Sequence, residues 1–421
     1  MKLESPRGTK DILPPESFLW SYIEEVFRNI CYCYGYKEIR TPIFEFTELF
    51  TRGIGQTTDV VEKEMYTFLD RKGRSLTLRP EGTAGVVRAF IQNNLYRNPY
   101  TKLFYIGPIF RYERPQAGRY RQSHQIGIEA FGSNNPLIDV EVILLITNFY
   151  RDVGIKQFQI LLNSIGCREC RKYYKEKLIE FAQKKIENFC LNCQQRLTKN
   201  PLRLLDCKQT SCREAIADAP KILDFLCKDC KEHFNTTVKL LNNAGVEVTI
   251  KPYLVRGLDY YTRTVFEVVS PLLGAQNSLC GGGRFDDLVE LLGGPSTPAV
   301  GVAGGMERLL LALKEEKVKL HNIPSSIYIV ASPEREENSL LLAERLRRKS
   351  SYPVEITYGR DIREKLKIVN KLTGRWVILL TSEEEIYNQV IIKDMLSGEQ
   401  WKAFEGEILK TIKEKEKEKW N

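Results

Sequence analysis

The sequence predicts an α+β protein: an antiparallel-sheet domain carrying a mostly helical, cysteine-rich insertion, followed by a small C-terminal α/β domain. Three observations lead to this reading. Up to about residue 320, short strand-like runs cluster instead of alternating strictly with helices, which is the pattern of an antiparallel α+β domain. Between Ser164 and about Gly245 the chain becomes Cys- and Lys-rich, helical in period and poor in strand signals. Past Lys314 a charged stretch running through Pro324 has linker character, and strands and helices alternate beyond it. The predicted domains are therefore 1–320, with 164–245 inserted in it, and 325–421.

The elements follow in order. After Pro14-Pro15, apolar residues from Phe18 to Ile30 recur at three- to four-residue spacing and predict a helix over Ser17–Cys31. Leu76–Leu78, Leu103–Phe110 and His124–Phe131 are short apolar runs bounded by Gly and Pro and read as strands. RPEGTAGVVRAFIQNN between them reads as a turn opening a helix. Further strands are expected at Phe158–Asn163, Tyr253–Leu254 and Val265–Val268, and a helix at Met306–Leu313 after the glycine-rich Gly301–Gly305 segment. In the last domain the order is strand 327–331, helix 340–348, strand 354–357, helix 362–372, strands 376–380 and 390–393, then a helix from Phe404 to Lys413. Around the second of these helices, Arg360, Lys365 and Lys367 are expected as exposed cations.

The chain has 421 residues, 63 Lys and Arg against 54 Asp and Glu, and 43% hydrophobic residues, a globular composition that excludes disordered and fibrous classes. A net charge of +9 is compatible with a polyanionic partner but does not decide for one. No apolar run approaches the roughly 18 residues of a membrane helix, so no membrane partner is expected. MKLESPRGTK has no apolar stretch behind its charges, which predicts a cytoplasmic protein. Eight of the 11 cysteines fall between Cys167 and Cys230. They read in order as Cys167, Cys170, Cys190, Cys193 and then Cys207, Cys212, Cys227, Cys230. Eight sulfurs suffice for two tetrahedral structural zinc sites, or one with spare thiols; the alternative is small buried side chains in a reducing compartment.

Neither a P-loop nor a G-x-G-x-x-G fingerprint occurs, so side chains must hold the phosphates of any nucleotide. Arginine suits this task, because its planar fork matches phosphate oxygens and keeps its charge when partly buried. Three segments qualify: FRYERPQAGRYRQSHQIGIEAFG with Arg111 and Arg119, LVRGLDYYTRTVFEV with Arg256, and GVAGGMERLLLAL with Arg308. Singly, each also reads as a solvated hairpin or a snorkelling helix residue. Arg256, beside a Tyr-Tyr pair between apolar runs, calls for an anion or carboxylate to meet it.

These segments resemble the second and third motifs of class II aminoacyl-tRNA synthetases in the version of the histidyl-tRNA synthetase family, and GYKEIRTPIFE resembles the first. TLRPEGT, LVRGLDYYTRTVFE and CGGGRFDDLVELLGG match the same family, so the resemblance spans nearly the whole chain. It implies a ligase that activates L-histidine with ATP and Mg²⁺ and transfers it to tRNA(His), acting as a homodimer with a C-terminal anticodon-binding domain. Carried over residue by residue, Arg111 and Mg²⁺ hold the α-phosphate, and Arg256 bridges it to the substrate carboxylate. Arg308 holds the γ-phosphate end under adenine, and Arg119 joins the ATP set. Glu81 and Gln125 take the α-amino group beside Gly82 and Thr83, while Glu129 and Tyr261, with Tyr260, read the imidazole. Ser123 departs from the pattern, since the family usually has an aromatic residue there against adenine. The cysteine pairs also depart from it. A non-catalytic relative, the regulatory subunit of ATP phosphoribosyltransferase, is the rival reading. It lacks the C-terminal domain and keeps an imperfect arginine set, so Arg111, Arg256 and Arg308 favour the enzyme.

Overall fold

The computed structural model describes residues 3–56, 58–318, 326–381 and 389–418. The linker expected around Pro324 lies outside them. The chain divides into two compact units, Met1–Lys319 and Leu320–Asn421. The strands of the first unit are β1 (Lys37–Glu38), β2 (Phe44–Phe46), β3 (Tyr66–Leu69), β4 (Ser75–Leu78), β5 (Thr101–Phe110), β6 (Gln122–Phe131), β7 (Gln159–Ser164), β8 (Thr249–Ile250), β9 (Thr262–Val269), β10 (Ser278–Arg284) and β11 (Ala299–Gly305).

Eight of them form one sheet in the order β1-β5-β6-β11-β10-β9-β7-β8, antiparallel except for the edge pairs β1–β5 and β7–β8. Side chains alternate across such a sheet, and β6 shows the consequence. Ile126, Ile128 and Ala130 point into a core shared with the helices Glu16–Cys33 and Pro136–Asp152, where Phe27, Phe104 and Phe149 pack. Gln125, Gly127 and Glu129 are left for the opposite face. There the Thr83–Gln92 helix covers one end of the sheet, with Phe90 stacked on Phe131 at 4.3 Å. β2, β4 and β3 form a separate three-stranded sheet that leaves Phe44, Phe46, Phe68 and Leu69 exposed.

The Cys-rich segment is helical, with helices Arg168–Gln183, Leu191–Lys199, Thr210–Ala215 and Lys228–Asn243. Its last helix is tied back through His233, whose Nε2 lies 3.2 Å from Asp139, while Asp139 accepts from the fully buried Arg284 at 2.7 Å. Burial opposes the charge on Asp139, but Arg284 and His233 offset it and hold the carboxyl below its ordinary range.

Three sequence expectations change. Tyr253–Leu254 is not a strand: Pro252 has no N–H for a ladder, the Leu254 N–H turns back to the Lys251 carbonyl at 2.8 Å, and β8 lies earlier. The glycine-rich segments from Ser278 and Ala299 are full strands in the middle of the sheet. In the second unit, residues 400–404 form a strand, so the last helix starts later, at Ile408.

The second unit has β12 (Ile327–Ala331), β13 (Val354–Ile356), β14 (Trp376–Leu380), β15 (Gln389–Asp394) and β16 (Gln400–Phe404) in the order β13-β12-β14-β15-β16. It has its own core: Trp376, Ile378, Ile392 and Leu346 pack with Ile408 and Ile412 on one face, and Val330, Val369 and Val377 on the other. Lys365, expected as an exposed cation on the second helix, is only 1% exposed and donates to the Ala331 carbonyl at 2.9 Å and to Glu336 at 2.7 Å. Arg360 is exposed and lies 3.3 Å from Glu364, and Lys367 is exposed.

Candidate active site

The site begins where a loop ends and a helix starts. Glu81 accepts the backbone N–H groups of Thr83 and Ala84 at 2.8 and 2.7 Å, closing the first turn of the Thr83–Gln92 helix with a carboxylate. The Thr83 hydroxyl, at the start of this helix, donates to Glu129 Oε1 of β6 at 2.7 Å. Glu129 is 1% exposed, and its second oxygen, like the Gln125 amide oxygen, has no hydrogen-bond partner among the described residues. Burial pushes the Glu129 carboxyl well above its ordinary range despite the Thr83 bond, and it raises Glu81 too, against the pull of its N–H donors. Unpaired buried acceptors are rare in folded proteins, and two in one cavity mark a place for a ligand that donates. Tyr260 and Tyr261, 4.8 Å apart between ring centroids, line the same cavity. Gly82 backs it: a Cβ there would overlap the Tyr105 ring.

The cationic side is built from the β5–β6 connection, the segment before β9 and the helix after β11. Arg256 is paired with Glu267 of β9 at 3.0 Å. Burial works against its charge, but Glu267 and Tyr261 more than offset this, so the guanidinium stays protonated above its ordinary value. Its other face lies on Gly281 of β10, where any Cβ would overlap it. Arg111 donates from Nε to the Pro80 carbonyl at 2.7 Å, and its Nη1 lies 3.9 Å from Glu113 Oε1. Arg119 lies 2.7 Å from Glu113, and Arg308 donates to the Ser278 carbonyl at 3.1 Å. Burial and then the neighbouring Arg119 lower the Arg308 pKa, so this cluster of cations is short of negative charge. Such a cluster is a receptor for a polyanion.

The sequence-predicted residues Glu81, Thr83, Arg111, Arg119, Gln125, Glu129, Arg256, Tyr260, Tyr261 and Arg308 thus line a single cavity. Ser123 lines it as well, and so does Tyr120, an aromatic ring from the hairpin before β6. Five residues went unread, among them Glu267 and Glu113, which pair with the arginines, and Gly281 and Gly301, which make room. A Cβ at Gly301 would overlap Glu129. Glycine inside a strand was the available signal, because it marks close backbone approach. Glu307 also went unread; it accepts the His124 N–H at 2.9 Å and fixes the ring against Trp20.

All eight clustered cysteines meet in two groups of four, but not in sequence order. Cys167 and Cys170 meet Cys227 and Cys230, and Cys190 and Cys193 meet Cys207 and Cys212, the sulfurs of each group lying within 4.8 Å of one another. The pairing is set by which helix starts face each other, which sequence order does not reveal.

The family described as "Histidyl-tRNA synthetase" matches residues 8–309 of the chain. A protein named "Histidine--tRNA ligase" from Halothermothrix orenii is 49% identical over 95% of the chain and 96% of its own length. One of the same name from Natranaerobius thermophilus is 48% identical over 97% and 99%. The crystal structure of an apo S. aureus histidyl-tRNA synthetase superposes with a TM-score of 0.80 at 37% identity, over 97% of the chain and 99% of its own. A Bacillus halodurans structure titled as an ATP phosphoribosyltransferase regulatory subunit/histidyl-tRNA synthetase shares the fold, at 22% identity and a TM-score of 0.68.

Proposed function

The chain belongs to the histidyl-tRNA synthetase family of class II aminoacyl-tRNA synthetases and is a histidine–tRNA ligase that uses ATP, and we propose how its own residues divide that work. The observation that carries the proposal is the meeting of four arginines with two buried, unpaired acceptor oxygens in one cavity. The full arginine set argues against the non-catalytic rival, which the chain matches as a fold only.

In activation, a carboxylate oxygen of histidine attacks the α-phosphorus of ATP, an O–P bond forms, and pyrophosphate leaves with the electrons of the bond to the β-phosphate. Both reactants are anions, so the site must supply positive charge at the phosphoryl group. Arg256 faces both reactants and Arg111 the α-phosphate, while Arg119 and Arg308 take the outgoing pyrophosphate end. Magnesium, when bound with the nucleotide, adds charge neutralisation, and the Glu113 and Glu267 carboxylates set among these arginines are suitable oxygen donors. Glu81 and Gln125 receive the α-ammonium group. Glu129 accepts from one imidazole nitrogen and the Tyr261 hydroxyl meets the other, so a side chain without both nitrogens leaves buried groups unpaired. In the second step a terminal ribose hydroxyl of tRNA(His) attacks the acyl carbon and AMP leaves.

The rest of the assembly follows. The exposed Phe44, Phe46 and Phe68 share one face of the small sheet, an apolar patch that supports a homodimer through this sheet. The second unit serves as the anticodon-binding domain. No helix among the described residues is long and apolar enough to cross a membrane, and the work of charging tRNA fits the cytoplasm. The two cysteine groups, each with four soft ligands and no open position, fit structural zinc.

Purified protein is expected to exchange pyrophosphate into ATP only when histidine is present; exchange with another amino acid and none with histidine would overturn this reading. Glu129→Gln keeps the shape but puts a donor where the imidazole N–H must be accepted. It is expected to lower kcat/KM for histidine by about 10–100-fold, the range for a lost charged hydrogen bond, with little change for ATP. Normal histidine kinetics in the Glu129→Gln variant would place the imidazole elsewhere. Ser123→Phe is expected to lower the KM for ATP about fivefold, toward the low end of a base–aromatic stack. An unchanged value would mean that Tyr120 already covers adenine.

A further inference from the structure

The nesting of the two cysteine groups decides what an ion in each would do. Sulfurs bonded to zinc at about 2.3 Å form a tetrahedron with edges of about 3.8 Å, and the sulfurs of each group already lie within 4.8 Å of one another. They are not disulfides: Cys167 and Cys170 sulfurs lie 3.5 Å apart, far beyond a bond of about 2.0 Å. Cys167, Cys190 and Cys227 each stand immediately before a helix, with a second cysteine in its first turn. Backbone N–H groups already point at sulfur, from Cys227 to Cys170 at 3.1 Å and from Cys190 to Cys212 at 3.2 Å, as they would toward a metal-bound thiolate. The outer group joins the residues where the insertion leaves and re-enters the body, and the inner group lies wholly within that loop.

What radiates from these groups leads to one place. Arg171, next to Cys170, donates to the Tyr261 carbonyl at 2.7 Å. The helix headed by Cys190 and Cys193 ends at Lys199, and Asn200 beyond it donates to Asp259 Oδ1 at 2.8 Å. Arg203, on the following turn, reaches Asp59 at 3.0 Å, as does Arg196. Asp259 and Tyr261 flank Tyr260 in the segment that begins with Arg256. That helix has nine residues, below the roughly 12–15 at which a helix is stable alone, so an ion at its start would supply ordering energy that its sequence lacks.

Resting on the reading of the cysteine groups as zinc sites, we infer that the inner zinc ion positions the histidine pocket by holding Asn200 and Arg203 against the 256–261 segment and its neighbour Asp59. The outer ion closes the neck and fixes Arg171 on Tyr261. Zinc here is remote from the reacting atoms, and its effect falls on substrate binding through residues that touch no substrate.

Zinc content and kinetics of the full-length, reduced protein test both levels. Two zinc ions per chain are expected, and one after Cys190→Ser with Cys193→Ser. That variant is expected to show a histidine KM raised about tenfold, with a smaller change for ATP. Asn200→Ala, which touches no cysteine, is expected to keep two ions and raise the histidine KM in the same direction, and it decides alone if the serine variant does not fold. Protein free of metal, or holding iron in place of zinc, would overturn the metal reading itself. Two zinc ions with an unchanged histidine KM in Asn200→Ala would leave that reading standing and overturn the positioning role.

Discussion

Replacing Arg256 with alanine is expected to leave the chain folded and to lower histidine-dependent pyrophosphate exchange by about 10²–10³, the loss attached to one preorganised donor at a developing charge. The size follows from what surrounds the residue. Arg256 is the cation that the cavity is arranged around: Glu267 holds it at 3.0 Å, and Gly281 gives up its side chain to let it lie flat on β10. Truncation removes the positive charge and also leaves the Glu267 carboxylate facing two anionic substrates, so repulsion adds to the lost attraction. Arg256→Lys keeps a charge but not the planar fork that can span two oxygens, and should fall between. The fold does not depend on the residue, because the cores of this unit are formed by other side chains. Near-normal exchange by a folded Arg256→Ala protein would remove Arg256 from the phosphoryl group and with it the proposed division of labour.

How much of this was legible in the sequence differs by residue type. The arginine segments stood out because charges flanked by apolar runs are costly without a partner, and their convergence is what the structure adds. Glu129, Glu81 and Tyr261 were legible only through resemblance, since one carboxylate in an apolar strand has many bland explanations. β10 and β11 were missed because CGGGR and AVGVAGG contradict strand propensity. The contradiction has a cause: side chains at Gly281 and Gly301 would overlap Arg256 and Glu129, so the site overrides the strand's preference. Lys365 was misread as a surface cation although Val369, four residues on, is fully buried; helical period puts both on one face, and the long stem carries the ammonium to a carbonyl. The cysteine pairing was not legible at all, because spacing counts ligands but does not say which helix starts will face each other.

Removal of the second unit is expected to separate the two half-reactions. Activation needs only the arginine cavity, all of whose residues lie before residue 310. The first unit has its own apolar cores and the second its own, so residues 1–320 are expected to fold and to retain measurable exchange; the cut falls between 319 and 325, outside the described residues. Charging is different, because tRNA must be held at a second surface while its end enters the cavity. Loss of a tethered second contact costs about 10²–10⁴ in effective affinity. The kcat/KM for tRNA(His) should fall by that order while the KM for histidine stays near its full-length value. Arg360, Arg363, Lys367 and Lys371 are exposed cations of the helix side, now without Lys365, and are suited to phosphates, with unpaired loop bases read at their edges. If they act this way, charging by the full chain weakens as salt rises and the truncated chain loses part of that dependence. A stable 1–320 protein that charges tRNA(His) as well as the full chain would show that the second unit serves something other than tRNA.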